Sequence, residues 1–389
     1  MAKHRILLVA GARPNFMKVG ALYHALATRV GLDTEILHTG QHAAEAMSER
    51  FLRELSLPEP DHRIDLEGVP HAQMAERLHA EIGAYLDRRP PDLAVVVGDV
   101  TSTAAAAIAA SERWIPLAHV EAGLRSFDPE MPEEVNRVIA DHLSTLHFTT
   151  EAVAEQNLRR EGISPGGVVF AGNVMVDTVL RFLPKSDLAT PGRLGLEPKR
   201  YALLTAHRAA NVDRPEVLRR ILEGVARIAR RLPVLFPLHP RTEARMRHNA
   251  ISVPAGVRIS PPQGYLAFLD LMRHALVVFT DSGGIQGEAA VLGVPCVTLR
   301  ETTEQPVTLE IGANRLAGTD PEKIAIALDE ALASRGCPWS LPPLWDGHAA
   351  ERIADRITAF VAVRGEDGVE RILSIYESLF EKRSQGERA

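Results

Sequence analysis

The chain has 389 residues, too many for one ordinary hydrophobic core and enough for two domains. Its composition is that of a soluble globular protein, 46% hydrophobic and 24% charged, and a net charge of −6 leaves no basic footprint for nucleic acid. No run approaches the ~20 apolar residues of a membrane span, and Cys296 and Cys337 form no C-x-x-C pair, so no metal site is expected.

Short apolar runs alternate with amphipathic stretches along the chain. The first strand is expected over Ile6–Ala10. Lys3, His4 and Arg5 before it superficially resemble the start of a signal peptide, but the run is too short for one, and the expected compartment is the cytoplasm. A helix over Pro14–Thr28 and strands over Thr34–Thr39 and Leu93–Gly98 follow. A helix over Thr101–Arg113, a strand over Ile115–Val120, a helix over Pro132–Leu143 and a strand over Val168–Ala171 complete the first half. Strands this apolar, separated by helices, belong to a parallel sheet covered on both faces. The segment from Leu183 to Arg200 is rich in Pro, Gly and charge and reads as an interdomain linker. The alternation then restarts, with strands over Tyr201–Thr205, Val234–Pro237, Val257–Ile259, Leu276–Thr280 and Val294–Leu299. The expected fold is α/β, with two Rossmann-like doubly wound domains facing across a cleft. The first spans 1–182 and the second 183–365. A last helix within 366–384, roughly Val369–Phe380, is expected to cross back and complete the first domain.

In open parallel sheets, ligands bind beyond the carboxyl ends of the strands. Polar and glycine residues concentrate there in this sequence. Gly11-Ala12-Arg13-Pro14 turns the first strand into a helix; Arg13 and Lys18 are placed to face an anion near the helix N-terminus. Lys18 is one of only six lysines, against 38 arginines. Asp99 closes the next strand, where either a catalytic acid or an N-cap would sit. Glu121 also ends a strand, at a position where glutamate has no capping role. Glu133 and Glu134 open a helix, which the macrodipole favours in any case. Carboxylates converging on one cleft have their pKa values pushed apart, which suits acid/base work.

The second half supplies complementary charge. His207-Arg208 closes its first strand, and His207 is a candidate proton donor or phosphate contact. Pro237-Leu238-His239-Pro240-Arg241 resembles a rigid cationic turn. The strongest local signal is Thr280-Asp281-Ser282-Gly283-Gly284-Ile285-Gln286-Gly287-Glu288, a strand end opening a helix. Ser282, Gly283 and Gly284 form a candidate diphosphate cradle, and Glu288, one turn on, is a candidate acceptor for ribose hydroxyls. This is neither a Walker A sequence nor a G-x-G-x-x-G fingerprint. The turn through Gln263 and Tyr265 either offers edges to a base or is a plain Pro-Gly connection.

Taken together these residues resemble the non-hydrolysing UDP-N-acetylglucosamine 2-epimerase family. The resemblance covers nearly the whole chain, in the family's order: GARPNFMK at 11–18, TGQH at 39–42, GDVTST at 98–103, HVEAGLRS at 119–126, PEEVNR at 132–137, GN at 172–173, TAHR at 205–208, Gln263-x-Tyr265-x-x-Phe268, TDSGGIQGE at 280–288 and TTEQP at 302–306. It implies a glycosyltransferase-B-like fold, a UDP-sugar substrate, a homodimer, a role in cell-surface polysaccharide biosynthesis, and no cofactor. The implied reaction interconverts UDP-GlcNAc and UDP-ManNAc by eliminating UDP to a 2-acetamidoglucal and adding it back. By motif, Asp99, Glu121, Glu133 and His207 are the implied catalytic set. Arg13, Lys18, Gln263, Tyr265, Ser282, Gly283, Gly284 and Glu288 are the implied substrate contacts, and Gln41 and His42 part of an implied allosteric site. The chain departs from the family pattern at Ala12, where Thr is usual, and at Gly287, where Glu is frequent. Ala209-Ala210 and the Pro-Arg-Thr after His239 also depart from it. These changes predict weak allosteric activation, and would also fit a modified sugar such as a 2,3-diacetamido uronic acid. A glycosyltransferase of the same fold and a hydrolysing epimerase are the rival readings.

Overall fold

A computed structural model describes residues 3–40, 45–66, 68–186, 189–333 and 339–363. The first half builds a seven-stranded sheet from β1 (His4–Ala10), β2 (Leu32–His38), β3 (His62–Arg63), β4 (Leu93–Val97), β5 (Leu117–Val120), β6 (Leu146–Thr149) and β7 (Val168–Phe170). The second half builds a six-stranded sheet from β8 (Ala202–Thr205), β9 (Val234–Pro237), β10 (Val257–Ser260), β11 (Val277–Thr280), β12 (Cys296–Thr298) and β13 (Asn314–Leu316). All the pairings are parallel. The orders are β3-β2-β1-β4-β5-β6-β7 and β10-β9-β8-β11-β12-β13. Both reverse direction beside their first strand, and these are the switch points at which a doubly wound sheet opens a crevice. Two Rossmann-like domains thus stand face to face in a glycosyltransferase-B-like arrangement.

Each sheet is packed on both faces. Ile6, Leu8 and Ala10 of β1 join one apolar cluster and Leu7 and Val9 the opposite one, as period-two side-chain alternation demands. The second sheet divides in the same way: Ala202 and Leu204 of β8 enter one cluster, Leu203 the other. The strands β3, β6 and β13 are absent from the sequence reading. Each is four residues or shorter, and with His147 or Arg63 inside them they lack an apolar run long enough to register.

The Leu183–Arg200 segment is no slack tether. It forms a short helix, Thr190–Arg193, whose Thr190 N–H donates to the fully buried Asp270 at 3.0 Å, and Leu196 is buried. A second crossing returns the chain to the first domain. Helix Ala349–Val363 places Ile353, Ile357 and Val361 in the same cluster as β1 and helix Arg13–Leu26. It is anchored by Asp177, which accepts the backbone N–H of Ala349 and Ala350. The helix expected within 366–384 lies outside the described residues, as does Cys337; Cys296 is buried and unpaired.

Candidate active site

The first domain contributes a carboxylate floor. β4 ends in Gly98-Asp99 and β5 in Val120-Glu121, side by side on the carboxyl edge of the sheet. Glu121 sits in the left-handed backbone region at φ 72, a conformation that non-glycine residues rarely adopt. Its N–H and that of Ala122 both donate to the Phe148 carbonyl of β6, which holds the turn. The twist aims the Glu121 carboxylate at Lys18, with which it forms a close ion pair. Gly98 makes room for this pair. It has φ +67, and a Cβ there would lie 2.8 Å from Lys18 Nζ. Lys18 is buried, and its ammonium is pulled down to about 8, chiefly by burial, with Asp99 opposing and Arg137 adding to the fall.

Asp99 forms a close ion pair with Arg137, and Asn136 Nδ2 donates to its carbonyl at 2.9 Å. Burial pushes the Asp99 carboxyl up, but Arg137, Lys18 and Arg208 outweigh it and hold the group below the usual carboxylate range. Helix Pro132–Leu143 explains the grouping: Glu133, Asn136 and Arg137 stand three and four residues apart and share one face. The two adjacent glutamates on it separate in role. Glu134 accepts the N–H of Ser126 and Phe127 and fixes the preceding loop. Glu133 faces the second domain, where Arg208 Nη1 donates to it at 2.9 Å.

The second domain answers from β8 and β11. Asp281, fully buried after β11, accepts the N–H of His207 and Arg208, both at 2.9 Å, and Asn211 Nδ2 at 3.2 Å. His207 Nδ1 stands 3.2 Å from the other Asp281 oxygen. That contact favours the proton on Nδ1, as a carboxylate beside an imidazole does. Arg208 also reaches the buried Glu304, which Arg300 holds at 2.9 Å. Asp281, Arg137 and Glu304 are site residues that the sequence reading did not single out. Asp281 lay inside a quoted motif, and Arg137 lay one turn after Glu133.

Helix Gly283–Val291 opens at Ser282, whose side chain makes no cap hydrogen bond, so its first N–H groups are candidates for an anion. A Cβ at Gly283 would lie 2.6 Å from Glu304 Oε2, so a side chain there would displace that carboxylate. The Gly287 departure has a local cause, since a Cβ there would lie 2.9 Å from Gln305 Oε1 and 3.4 Å from Trp345. At Ala12 the helix has no side-chain cap, and Asn15 Oδ1 accepts the Ala12 N–H at 2.8 Å. Glu288 is buried, its carboxyl is pushed up to about 8 by burial, and Oε1 has no hydrogen-bond partner among the described residues. The Tyr265 hydroxyl, also buried and without a partner there, feels the Glu288 charge. Its ring packs toward Phe51 of the first domain, with centroids 6.4 Å apart. Gln263 folds back on the Pro261 carbonyl at 2.7 Å. Lys18 pairs with Glu121 and also feels the charges of Asp99 and Glu304. The Arg13 side chain, Gln41 and His42 lie outside the described residues. Among those residues no group of three or more His, Cys, Asp or Glu is placed to hold a metal ion, and no helix is long and apolar enough to cross a membrane.

A family model described as UDP-N-acetylglucosamine 2-epimerase matches residues 24–358. The chain is 38% identical to the UDP-N-acetylglucosamine 2-epimerase of Methanocaldococcus jannaschii over 91% of its own length and 99% of the relative's. It is 39% identical to the UDP-2,3-diacetamido-2,3-dideoxy-D-glucuronate 2-epimerase of Pseudomonas aeruginosa, covering 82% and 90% of the two chains. The fold superposes on the crystal structure of the M. jannaschii enzyme in complex with UDP-GlcNAc and UDP with a TM-score of 0.86, covering 91% of this chain and 99% of that one.

Proposed function

This chain belongs to the UDP-N-acetylglucosamine 2-epimerase family, and from that membership we propose that its cleft interconverts UDP-GlcNAc and UDP-ManNAc without hydrolysis. The observation that carries the site assignment is Glu288, a buried carboxyl with an unpartnered oxygen one turn into a helix that opens on Ser282-Gly283-Gly284. That helix start receives the diphosphate, and Glu288 receives the ribose hydroxyls. The sugar then extends toward Asp99, Glu121 and Glu133.

The C2 proton beside an acetal carbon is not acidic, so its removal must accompany departure of UDP. The C1–O bond breaks with its electron pair leaving on the UDP oxygen. The C2–H bond breaks, its electrons form the C1=C2 double bond of the 2-acetamidoglucal, and the proton passes to the enzyme. In the return, UDP oxygen attacks C1 and C2 takes a proton on the opposite face. Asp99, held ionised by its cationic neighbours, stabilises positive charge developing at C1. The Glu121–Lys18 pair handles the proton, with Lys18, brought down to about 8 by burial, closer to neutrality than an ordinary lysine. Arg208, His207 Nε2–H when protonated, and the amides of the glycine-opened helix stabilise the departing diphosphate. We place the hinge at the Leu183–Arg200 crossing, and we assign work in the cytoplasm. A homodimer is part of the same reading, supported by the exposed Trp114, just past the end of the first-domain helix that carries the exposed Ile108. The test is chromatography of the purified protein with UDP-GlcNAc and, separately, with the UDP-diacetamido uronate. The reading predicts UDP-ManNAc from the former with no free sugar; stoichiometric free sugar and UDP, or turnover of the uronate alone, would overturn it.

A further inference from the structure

Helix Tyr265–His274 belongs to two hydrophobic cores. Its first residue, Tyr265, is buried in the cluster built on β1 and helix Arg13–Leu26 of the first domain. Its later residues Leu269, Leu271 and Met272 are buried with Leu203, Leu235 and Val278 of the second. A helix start needs acceptors for its free N–H groups, and the sequence places Gly264 at the N-cap, which has no side chain to offer. The acceptor comes from the other domain. Glu54, the last residue of helix Glu45–Glu54, accepts the Tyr265 N–H at 2.6 Å and faces the Leu266 N–H at 3.4 Å. Arg50 holds the carboxylate from one turn earlier at 2.7 Å, and the Glu54 side chain is only 14% exposed. Any side chain at Gly264 would collide with Glu54 and Arg50. The contact is charge-assisted and sits on the positive end of the helix, both of which strengthen it.

We propose that Glu54 is a positioning residue for the nucleotide: by capping helix Tyr265–His274 across the domain boundary, it couples alignment of the Gln263–Tyr265 turn to closure of the cleft. The proposal rests on the reading that the second domain grips the nucleotide. Through it, the first domain does more than carry the carboxylates. When the domains part, the Tyr265 and Leu266 amides lose their acceptor, and the Tyr265 hydroxyl moves relative to Glu288, whose charge it feels in this arrangement. Affinity for nucleotide is then multiplied by the fraction of molecules that are closed, so the Kd rises as that fraction falls.

Glu54→Ala, Glu54→Gln and the unaltered protein are compared by calorimetric titration with UDP, by steady-state epimerisation, and by small-angle scattering without nucleotide. Glu54→Ala is expected to raise both the UDP Kd and the substrate KM about tenfold with kcat within about twofold, the signature of lost closure energy rather than lost chemistry. Glu54→Gln, whose amide oxygen still accepts both N–H groups, is expected to lose about threefold, and it serves if the alanine variant fails to fold. The radius of gyration without nucleotide should be larger for Glu54→Ala. A lower melting temperature with unchanged Kd and KM would reduce Glu54 to an ordinary helix cap and overturn the proposal, as would an unchanged radius of gyration. Failure of the unaltered protein to bind UDP would instead refute the functional reading, while the scattering comparison, which needs no ligand, still decides on the latch.

Discussion

Glu288→Gln tests the nucleotide site through stability as well as affinity. The Glu288 carboxyl, ordinarily near 4.5, is pushed up to about 8 by burial. Between those pH values the folded chain keeps a proton that the unfolded chain has released, so stability falls as pH rises. Above both values the loss levels off at about 4–5 kcal/mol, from roughly 1.4 kcal/mol for each tenfold change in proton affinity. Glutamine fills the same space and does not titrate. The unfolding free energy of the variant relative to the parent should therefore shift in its favour by about 4 kcal/mol between about pH 4 and pH 9, whatever constant cost the buried amide adds. Denaturant titrations at several pH values, read by fluorescence and circular dichroism together, measure this shift. Measured above about pH 8, where the Glu288 carboxyl is ionised, the same variant should bind UDP about tenfold more weakly, because a hydrogen bond to a charged acceptor is replaced by one to a neutral acceptor. A stability difference that stays constant across pH would refute the reasoning that Glu288 is held desolvated until a ligand meets it.

Four further outcomes follow from the geometry. Asp99→Asn should lower kcat about 10³-fold while leaving the UDP Kd within about threefold, since its partners lie on the sugar side of the cleft; a parallel loss of UDP affinity, seen by calorimetry, would contradict that placement. Asp281→Asn should cost about 2–4 kcal/mol of stability and at least about 10²-fold in kcat, because Asp281 accepts from His207 and Arg208 in full burial; near-parental kcat would sink the orienting role given to it. Gly284→Ala should fold normally, as its nearest neighbour is Met175 Cε at 3.9 Å, yet weaken UDP binding about tenfold or more by blocking backbone approach. Lys18→Met should lower kcat by at least about 10²-fold and remove any basic limb near pH 8 from the kcat profile; an unchanged limb would assign that titration elsewhere.

The sheets were legible because apolar strands and 3.6-period helices alternate with few interruptions, and because ligand chemistry concentrates beyond strand ends. Asp99, Glu121 and His207 were singled out by that rule, and the structure places each just past the end of a strand. The partners that tune them were harder to see. Arg137 pairs with Asp99 across 38 positions of sequence, and the Glu54 contact with Tyr265 spans 211. No local pattern encodes such distances. Arg137 does leave a trace, since Glu133, Asn136 and Arg137 fall on one helical face. Glu54 leaves none, as it ends an amphipathic helix where an exposed glutamate would be ordinary. Lys18 was expected beside a phosphate because it follows a turn–helix start. The structure pairs it with Glu121, and Gly98, whose positive φ only the structure reveals, opens the space for that pair. The short strands β3 and β13 escaped because edge positions tolerate brevity and polar residues, and the interior β6 escaped because its four residues include His147 and Thr149.

The central claim is that one cleft both breaks the C2–H bond and retains UDP for return. The most direct measurement is NMR of UDP-GlcNAc incubated with the protein in D2O. The account predicts UDP-ManNAc, with deuterium at C2 accumulating in both epimers and the nucleotide–sugar link intact at equilibrium. UDP-ManNAc formed with the C2 proton retained, or deuterium absent from both pools after full equilibration, would contradict it.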